Sequence, residues 1–271
     1  LKLFIDRVSA VLTHIINLSF ETKIFPEKWK LGLIKPIPKI PFPLKESDFR
    51  PISLLCTLSK IIEKLALWQI LAYLGKHSLF DPNQSAYQAN FGCITALIKI
   101  NDDILDSIDD SEVTVLTLLD FSKAFDTVNH RLLLEKLSIL GFTQDACDWV
   151  GSYLTDRFQK VIINNDCSSW VKIKNGVPQG SILGPILFNI LISDMRQFVV
   201  FNSSHGYADD AQLKINTKVE NINDAIQHVN SDLSSISTYC RNSALTINEK
   251  KCYYMVIGTK PAIKKTRWHD P

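Results

Sequence analysis

Ser203-Ser204-His205-Gly206-Tyr207-Ala208-Asp209-Asp210-Ala211-Gln212-Leu213-Lys214-Ile215 is the stretch from which the fold can be read. Ser203 to Gly206 is a turn signal, and Ala211 to Ile215 is a short alternating run. Together they predict a β-hairpin with Asp209 and Asp210 at its tip. Neighbouring side chains on a regular strand point to opposite faces, so two adjacent Asp share a site only where a turn re-aims them. Two carboxylates held together repel unless a cation neutralises them. Hard oxygen ligands of this kind suit Mg²⁺, which takes one or two carboxylates together with phosphate oxygens. A solvated turn is the plainer reading, since Asp favours turns for backbone reasons. The rest of the chain has to decide between them.

The 271 residues suffice for one large domain or two lobes. With 46% hydrophobic and 21% charged residues the composition is that of an ordinary folded protein. Thirty basic and 28 acidic residues give a net charge of +2, too balanced to point to a nucleic-acid partner, although a local basic groove remains compatible with it. Six cysteines, at 56, 93, 147, 167, 240 and 252, show no CxxC spacing, which argues against a zinc or redox motif. They are expected to be buried thiols in a reducing compartment. The most apolar run, residues 181 to 192, is broken by Ser181, Gly184, Pro185 and Asn189 and is too short to span a bilayer. The N-terminus has no initiator Met and no signal-peptide layout, so a fragment of a longer protein is expected.

Working outward, apolar spacing predicts helices over 8–24, 60–74, 93–108, 144–155 and 221–240. Another follows Asp126, with Gly141 just past its end as an αL cap. Leu33 to Lys39 is extended and carries Pro36 and Pro38, consistent with an edge strand. Val113 to Leu119 is a continuous β-branched and apolar run of the length of a buried strand, and Asp120 stands at its end. Residues 159–163 and 170–173 predict a strand pair, and 252–257 a last strand. A long apolar helix is expected from the Asn175–Gly180 loop to about Phe198. Strands and helices intermix without regular alternation, which argues for α+β over a doubly wound sheet.

Were the strand ending in Asp120 a neighbour of the acidic hairpin, three carboxylates would converge. Two-metal phosphoryl transfer needs that arrangement, with ions ~4 Å apart. At this point a resemblance enters. Leu119-Asp120-Phe121-Ser122-Lys123-Ala124-Phe125-Asp126-Thr127-Val128 resembles the first catalytic motif of reverse transcriptases of non-LTR (LINE-like) retrotransposons. Gly176-Val177-Pro178-Gln179-Gly180-Ser181-Ile182-Leu183-Gly184-Pro185 resembles their second palm motif, and Tyr207 to Asp210 the third. Phe49 to Leu55 with Lys60 and Glu63 resembles the fingers block, Gln84-Ser85-Ala86-Tyr87 the next block, and Leu245 to Cys252 the motif after the palm helix. The blocks run in family order over nearly the whole chain.

The resemblance implies a right-hand polymerase fold with palm and fingers, the thumb largely missing. Residues 1–110 are the N-terminal region and fingers, 111–258 mainly palm, and 259–271 a basic tail leading toward the thumb. It implies an RNA-directed DNA polymerase that joins dNTPs to a DNA primer on an RNA template, using two Mg²⁺ ions, with Mn²⁺ as a substitute. Asp120, Asp209 and Asp210 are then catalytic carboxylates and metal ligands, together with the backbone carbonyl of Phe121. Phe125 is the aromatic set against the sugar C2′, where a ring excludes a ribose hydroxyl; packing in the core is compatible with that role. Gln179 and Gly180 lie under template and nucleotide, where a glycine lets the backbone approach closely. Arg50 and Lys60 fall at positions that hold a triphosphate, a contact to which Arg is suited; either is equally a surface charge. Lys251, or its neighbour Lys250, stands near the leaving pyrophosphate. The location implied is intracellular, nuclear or cytoplasmic.

Some positions depart from the family pattern. Gln88 replaces an Arg, Phe91-Gly92-Cys93-Ile94-Thr95 replaces a Ser/His-Ser-Thr sequence, and Ala211 stands where Thr is common. Because copies of mobile elements decay, the competing expectation is an inactive remnant that at most binds nucleic acid.

Overall fold

In a computed structural model, residues 5–86 and 92–266 are described; Tyr87, Gln88 and Phe91 lie outside them. In chain order the elements are α1 (Ile5–Thr22), β1 (Leu31–Pro38), β2 (Phe49–Leu54), α2 (Thr57–Lys76), α3 (Cys93–Asp109), β3 (Val113–Leu119), α4 (Ala124–Thr127), α5 (His130–Ile139) and α6 (Gln144–Leu154). They continue with β4 (Phe158–Ile163), β5 (Asp166–Cys167), β6 (Val171–Lys172), α7 (Gly184–Ile192), β7 (Ser203–Tyr207), β8 (Asp210–Thr217), α8 (Ile222–Asn242), β9 (Tyr253–Ile257) and α9 (Lys260–Lys265). They form two compact units. One comprises Leu1–Leu79 and Phe125–Ile190, the other Phe80–Ala124 and Leu191–Pro271.

The first unit holds a sheet of order β2-β1-β4-β5, with β6 also on β4. β1 is therefore an interior strand, not the edge strand its prolines suggest. The register shows how the prolines fit. β4 pairs only with Leu31 to Ile34, so Pro36 and Pro38 fall past its reach, and Pro36 faces Pro51 of β2. In α2, Ile62, Ala66, Ile70 and Leu74 recur every four residues and are buried on one face. α5 opens on Asn129, whose Oδ1 accepts from the Leu132 N–H at 3.1 Å. Gly141 follows α5 at φ +84, the cap its position predicts. Phe25, Trp149 and Tyr153 form an aromatic core, with Phe25 edge-on to both rings at 5.7 and 5.1 Å.

The second unit is a four-stranded sheet of order β7-β8-β3-β9. β3 lies between β8 and β9, antiparallel to both, and is buried along almost its whole length. Both its faces are covered, which is why it reads as a continuous apolar run rather than an alternating one. Val113 and Val115 pack with Ile222 and Val229 of α8. Leu116, on the opposite face, lines a small pocket with Lys99, Ile100 and Asp103 of α3.

Three further sequence expectations need correction. Ser203 to Gly206 is not a turn but most of strand β7, paired with Gln212 to Lys214 and Ala211 of β8. The apolar helix α7 stops at Ile192, and Met195–Phe198 is a separate 3₁₀ turn. Asp194 accepts from the Tyr239 hydroxyl at 2.8 Å, which holds the chain where it leaves the helix. Of the six thiols, all free, only Cys147 and Cys240 are buried, while Cys93 and Cys167 are exposed. Among the described residues no helix is long and apolar enough to cross a membrane.

Candidate active site

The sequence-predicted residues divide between the two units. Asp120, Phe121, Asp209, Asp210 and Lys251 belong to the second; Arg50, Lys60, Phe125, Gln179 and Gly180 to the first.

In the second unit, sheet register brings the carboxylates together. The β3–β8 pairing runs to Leu119↔Ala211, so Asp120 comes one step further, across from Asp210. β7 and β8 close on the pair Tyr207↔Asp210, leaving Ala208 and Asp209 as a two-residue loop. Ala208 has φ +56, the pattern of a tight hairpin turn whose first loop residue is usually glycine. Burial, then the nearby charges of Asp210 and Asp120, hold the Asp209 carboxyl above its ordinary range, against the opposing pull of its own N–H and of Lys251. Desolvation and Asp120 push Asp210 up in the same way, with Lys251 opposing.

Asp120 is held from its other side. Asn248 Nδ2 donates to Asp120 Oδ2 at 2.8 Å, and Lys251 Nζ lies 3.6 Å from the same oxygen. The Asn248 N–H donates to the Asp120 carbonyl, and the Ser122 N–H to the Thr246 carbonyl, each at 2.8 Å. The Phe121 carbonyl takes part in neither bond. Asn248 stood in the sequence as one letter of a motif, with no role; a polar side chain beside an acidic residue far away in sequence gives no local signal.

Three carboxylates and a backbone carbonyl are the hard oxygen donors that Mg²⁺ prefers. Among the described residues, however, no group of three His, Cys, Asp or Glu side chains stands in a ready-made metal cage. Carboxylates without a counter-ion repel, and here the Lys251 ammonium partly neutralises them. Mg²⁺ typically completes its shell with substrate phosphates, so an incomplete protein cage suits it.

In the first unit, one loop collects most of the remaining candidates. The Val177 N–H donates to the Phe125 carbonyl and the Gly176 N–H to the Val128 carbonyl, each at 2.8 Å. His130 Nε2 is 2.8 Å from the Gly176 carbonyl. Gln179 Nε2 donates to Asp126 Oδ1 at 2.9 Å, and the Gln179 carbonyl accepts from the Ser53 N–H of β2 at 2.7 Å. Gly180 has φ +110, and a Cβ there would sit 3.0 Å from the Ser53 carbonyl, so only glycine fits. Phe125 is half-buried, tilted against the buried Phe188 with ring centroids 5.0 Å apart. Arg50 lies exposed on β2, and Lys60 half-exposed in the first turn of α2.

One turn along α2 from Lys60, Glu63 is wholly buried. Its Oε2 accepts from the Ile182 N–H at 2.8 Å, the Leu183 N–H at 3.3 Å and the Tyr153 hydroxyl at 3.3 Å. Its Oε1 accepts from Ser59 Oγ at 3.2 Å. Glu63 thus fastens the far end of the 176–183 loop to α2. Sequence quoted it only as part of a block, because three of its four donors lie 90 to 120 residues away.

A sheet whose acidic hairpin lies beside a strand ending in a third carboxylate is consistent with a right-hand polymerase fold. The chain belongs to the reverse transcriptase (RNA-dependent DNA polymerase) family, whose pattern matches residues 37–268. It is 30% identical over 260 residues to the RNA-directed DNA polymerase from the mobile element jockey of Drosophila melanogaster, over 93% of this chain and 28% of that protein. It is 28% identical over 259 residues to the probable RNA-directed DNA polymerase from transposon BS of the same organism, with the same coverage. The chain therefore spans about a quarter of the length of these relatives, and the resemblance to non-LTR retrotransposon enzymes holds. Apo telomerase from Candida tropicalis shares the fold, with a TM-score of 0.61 at 15% identity over 86% of this chain and 46% of that one.

Proposed function

We propose that this chain carries the catalytic palm and fingers of an RNA-directed DNA polymerase, which joins dNTPs to the 3′-hydroxyl of a DNA primer on an RNA template. The observation that carries the reading is the β3–β8 register, which sets Asp120 across from the Asp209–Asp210 hairpin in a chain of the reverse transcriptase family. Asp120, Asp209, Asp210 and the Phe121 carbonyl would hold two Mg²⁺ ions, with Mn²⁺ as a substitute. Such ions lower the pKa of the attacking hydroxyl and stabilise the leaving pyrophosphate. Lys251, whose Nζ lies 3.6 Å from Asp120 Oδ2, would meet the pyrophosphate as its negative charge develops. By the family resemblance, Gln179 and Gly180 would lie under template and nucleotide, and Phe125 against the sugar. Arg50 and Lys60 supply cations for the triphosphate.

Primer extension on an RNA template with Mg²⁺ and dNTPs is the test. Extension by the wild-type chain, lost in Asp209→Asn with the fold retained, is the expected result. A folded wild-type chain that extends no primer, in Mg²⁺ or Mn²⁺, would instead make it an inactive remnant.

A further inference from the structure

Gln84 lies 124 residues before the acidic hairpin and is buried against it, 6% exposed. Its side-chain amide pairs with both backbone groups of a single loop residue. Oε1 accepts from the Ala208 N–H at 2.8 Å, and Nε2 donates to the Ala208 carbonyl at 3.2 Å. The same Oε1 also accepts from the Ala86 N–H at 3.0 Å. Around it the main chain adds a fragment of parallel pairing to β7. The Gly206 N–H donates to the Asn83 carbonyl at 2.7 Å, and the Ser85 N–H to the Gly206 carbonyl at 2.9 Å. Approach is so close that a Cβ on Gly206 would sit 2.8 Å from Gln84 Nε2.

Ala208 is the residue that needs holding. A non-glycine residue with left-handed backbone costs of order 1–3 kcal/mol and persists only where its surroundings over-determine it. A hairpin turn alone leaves the outward N–H and carbonyl of such a residue to water. Here a glutamine amide, with one donor and one acceptor on a planar group, takes the place of a neighbouring strand for that one residue. Asp209 is the next residue and Asp210 the one after, so the peptide planes that Gln84 fixes set the aim of both carboxylates.

We propose that Gln84 is a positioning residue for the catalytic carboxylates, acting through the backbone of Ala208. The proposal rests on the polymerase reading above. Its amide oxygen and nitrogen both bond the Ala208 backbone, so it acts by setting the turn that presents Asp209 and Asp210 to the ions.

The test uses Gln84→Met, which keeps length and burial and removes both hydrogen-bonding groups. Three measurements separate the outcomes: hydrogen exchange of the segment 206–210, thermal unfolding, and single-nucleotide extension as a function of Mg²⁺. Exchange at 206–210 should rise by about tenfold or more while α8 stays unchanged. In the folded variant kcat should fall by about 10–100-fold and half-saturation by Mg²⁺ should need several-fold more ion, the usual cost of losing a group that orients metal ligands. At saturating Mg²⁺ the KM for dNTP should move by less than about threefold, the loss falling on kcat. A residue that only stabilises the fold would lower the melting temperature and leave kcat and the Mg²⁺ dependence of the folded enzyme unchanged. That result overturns the proposal, as does unaltered exchange at 206–210. Should Gln84→Met not fold, Gln84→Asn decides on the same measurements, since it keeps an uncharged amide and withdraws it by one methylene from the Ala208 backbone. If the wild-type chain extends no primer, the polymerase reading fails by itself, and exchange at 206–210 still reports whether Gln84 holds the turn.

Discussion

Replacing Glu63 with methionine should destabilise the first unit strongly, and the size follows from its partners. Four donors point at this buried carboxylate: Ser59 Oγ, the Tyr153 hydroxyl, and the N–H groups of Ile182 and Leu183. Two of them keep a partner after the change. Ser59 Oγ also donates to the Cys56 carbonyl at 2.8 Å, and the Tyr153 hydroxyl, which accepts from Ser181, can turn its own proton to the Ser181 oxygen instead. Ile182 and Leu183 are left with backbone N–H groups facing a thioether. An orphaned buried donor costs about 1–3 kcal/mol, so the pair amounts to about 2–6 kcal/mol. That is a large part of the ~5–15 kcal/mol that holds a domain together. Glu63→Gln keeps the volume and one acceptor oxygen, which can serve both N–H groups while its amide nitrogen turns to Ser59; it should cost about 1 kcal/mol. Urea unfolding followed by tryptophan fluorescence reads both, since Trp149 packs parallel to Tyr153 at 6.1 Å. A Glu63→Met variant within about 0.5 kcal/mol of wild type would refute the reasoning, that being the usual effect of a surface change.

Asp232 on α8 accepts the N–H groups of Val200, Phe201 and Asn202 and the Asn202 side-chain amide, at 2.7 to 3.0 Å. Burial opposes its ionisation, but these donors outweigh it and hold the carboxyl below its ordinary 3.8. Its stabilisation is therefore full above that value and is lost as pH falls through the lower folded one. Asp232→Asn should cost about 2–4 kcal/mol at neutral pH, with the gap to wild type closing only in strong acid; a gap that widens in acid would reverse the sign. Asp209 is perturbed the opposite way, so its charge opposes folding once pH exceeds its ordinary value. Asp209→Asn should raise the melting temperature of metal-free protein while abolishing extension, and a lowered melting temperature would contradict the repulsion. Phe125→Val should raise the use of rGTP relative to dGTP by about 10–100-fold in kcat/KM, the range set by relieving an overpacked contact. An unchanged ratio with both activities reduced would leave Phe125 only its packing on Phe188.

Different parts of this fold were legible to different degrees, for physical reasons. β3 could be read directly, because a strand covered on both faces writes its burial into seven consecutive residues. Asp120 and the Asp209–Asp210 pair were visible as well, since acidic residues at a strand end and at a hairpin tip are local features. Strand β7 was hidden. Ser203, Ser204, His205 and Gly206 have the composition of a turn, and they become strand only because β8 on one side and Asn83 to Ser85 on the other supply hydrogen bonds. The end of α7 was hidden too, being fixed by Tyr239 from far along the chain. Glu63, Gln84 and Asn248 share one difficulty. Each is a polar side chain whose decisive partners come from distant sequence, so little nearby distinguishes it from a solvated residue.

The electrostatics of the hairpin bear on whether such a chain still works. Asp209 is partly buried beside Asp210 and Asp120, and its raised pKa records that the charged form is disfavoured in the folded protein. Ala208 adds backbone strain at the same turn, and Gly206 and Gln84 are spent on holding it. The crowded charge of Asp209 and the backbone of Ala208 both work against the metal-free fold, and the hydrogen bonds of Gln84 serve to hold that strained turn. A fold with no further need of catalysis would gain from Asn at 209 and Gly at 208, each a single-residue change of a kind the sequence tolerates at Ala211 and Gln88. Yet the strained turn, its glutamine clamp and all three carboxylates stand together. On the polymerase reading, a divalent cation and a nucleotide bound at these carboxylates would offset their cost. That coincidence favours the working polymerase over the inert remnant, and it sets a specific expectation for metal-free protein. Mg²⁺ with a dNTP should stabilise the wild-type chain by an amount that Asp209→Asn loses, measured as a shift in unfolding midpoint at fixed protein concentration.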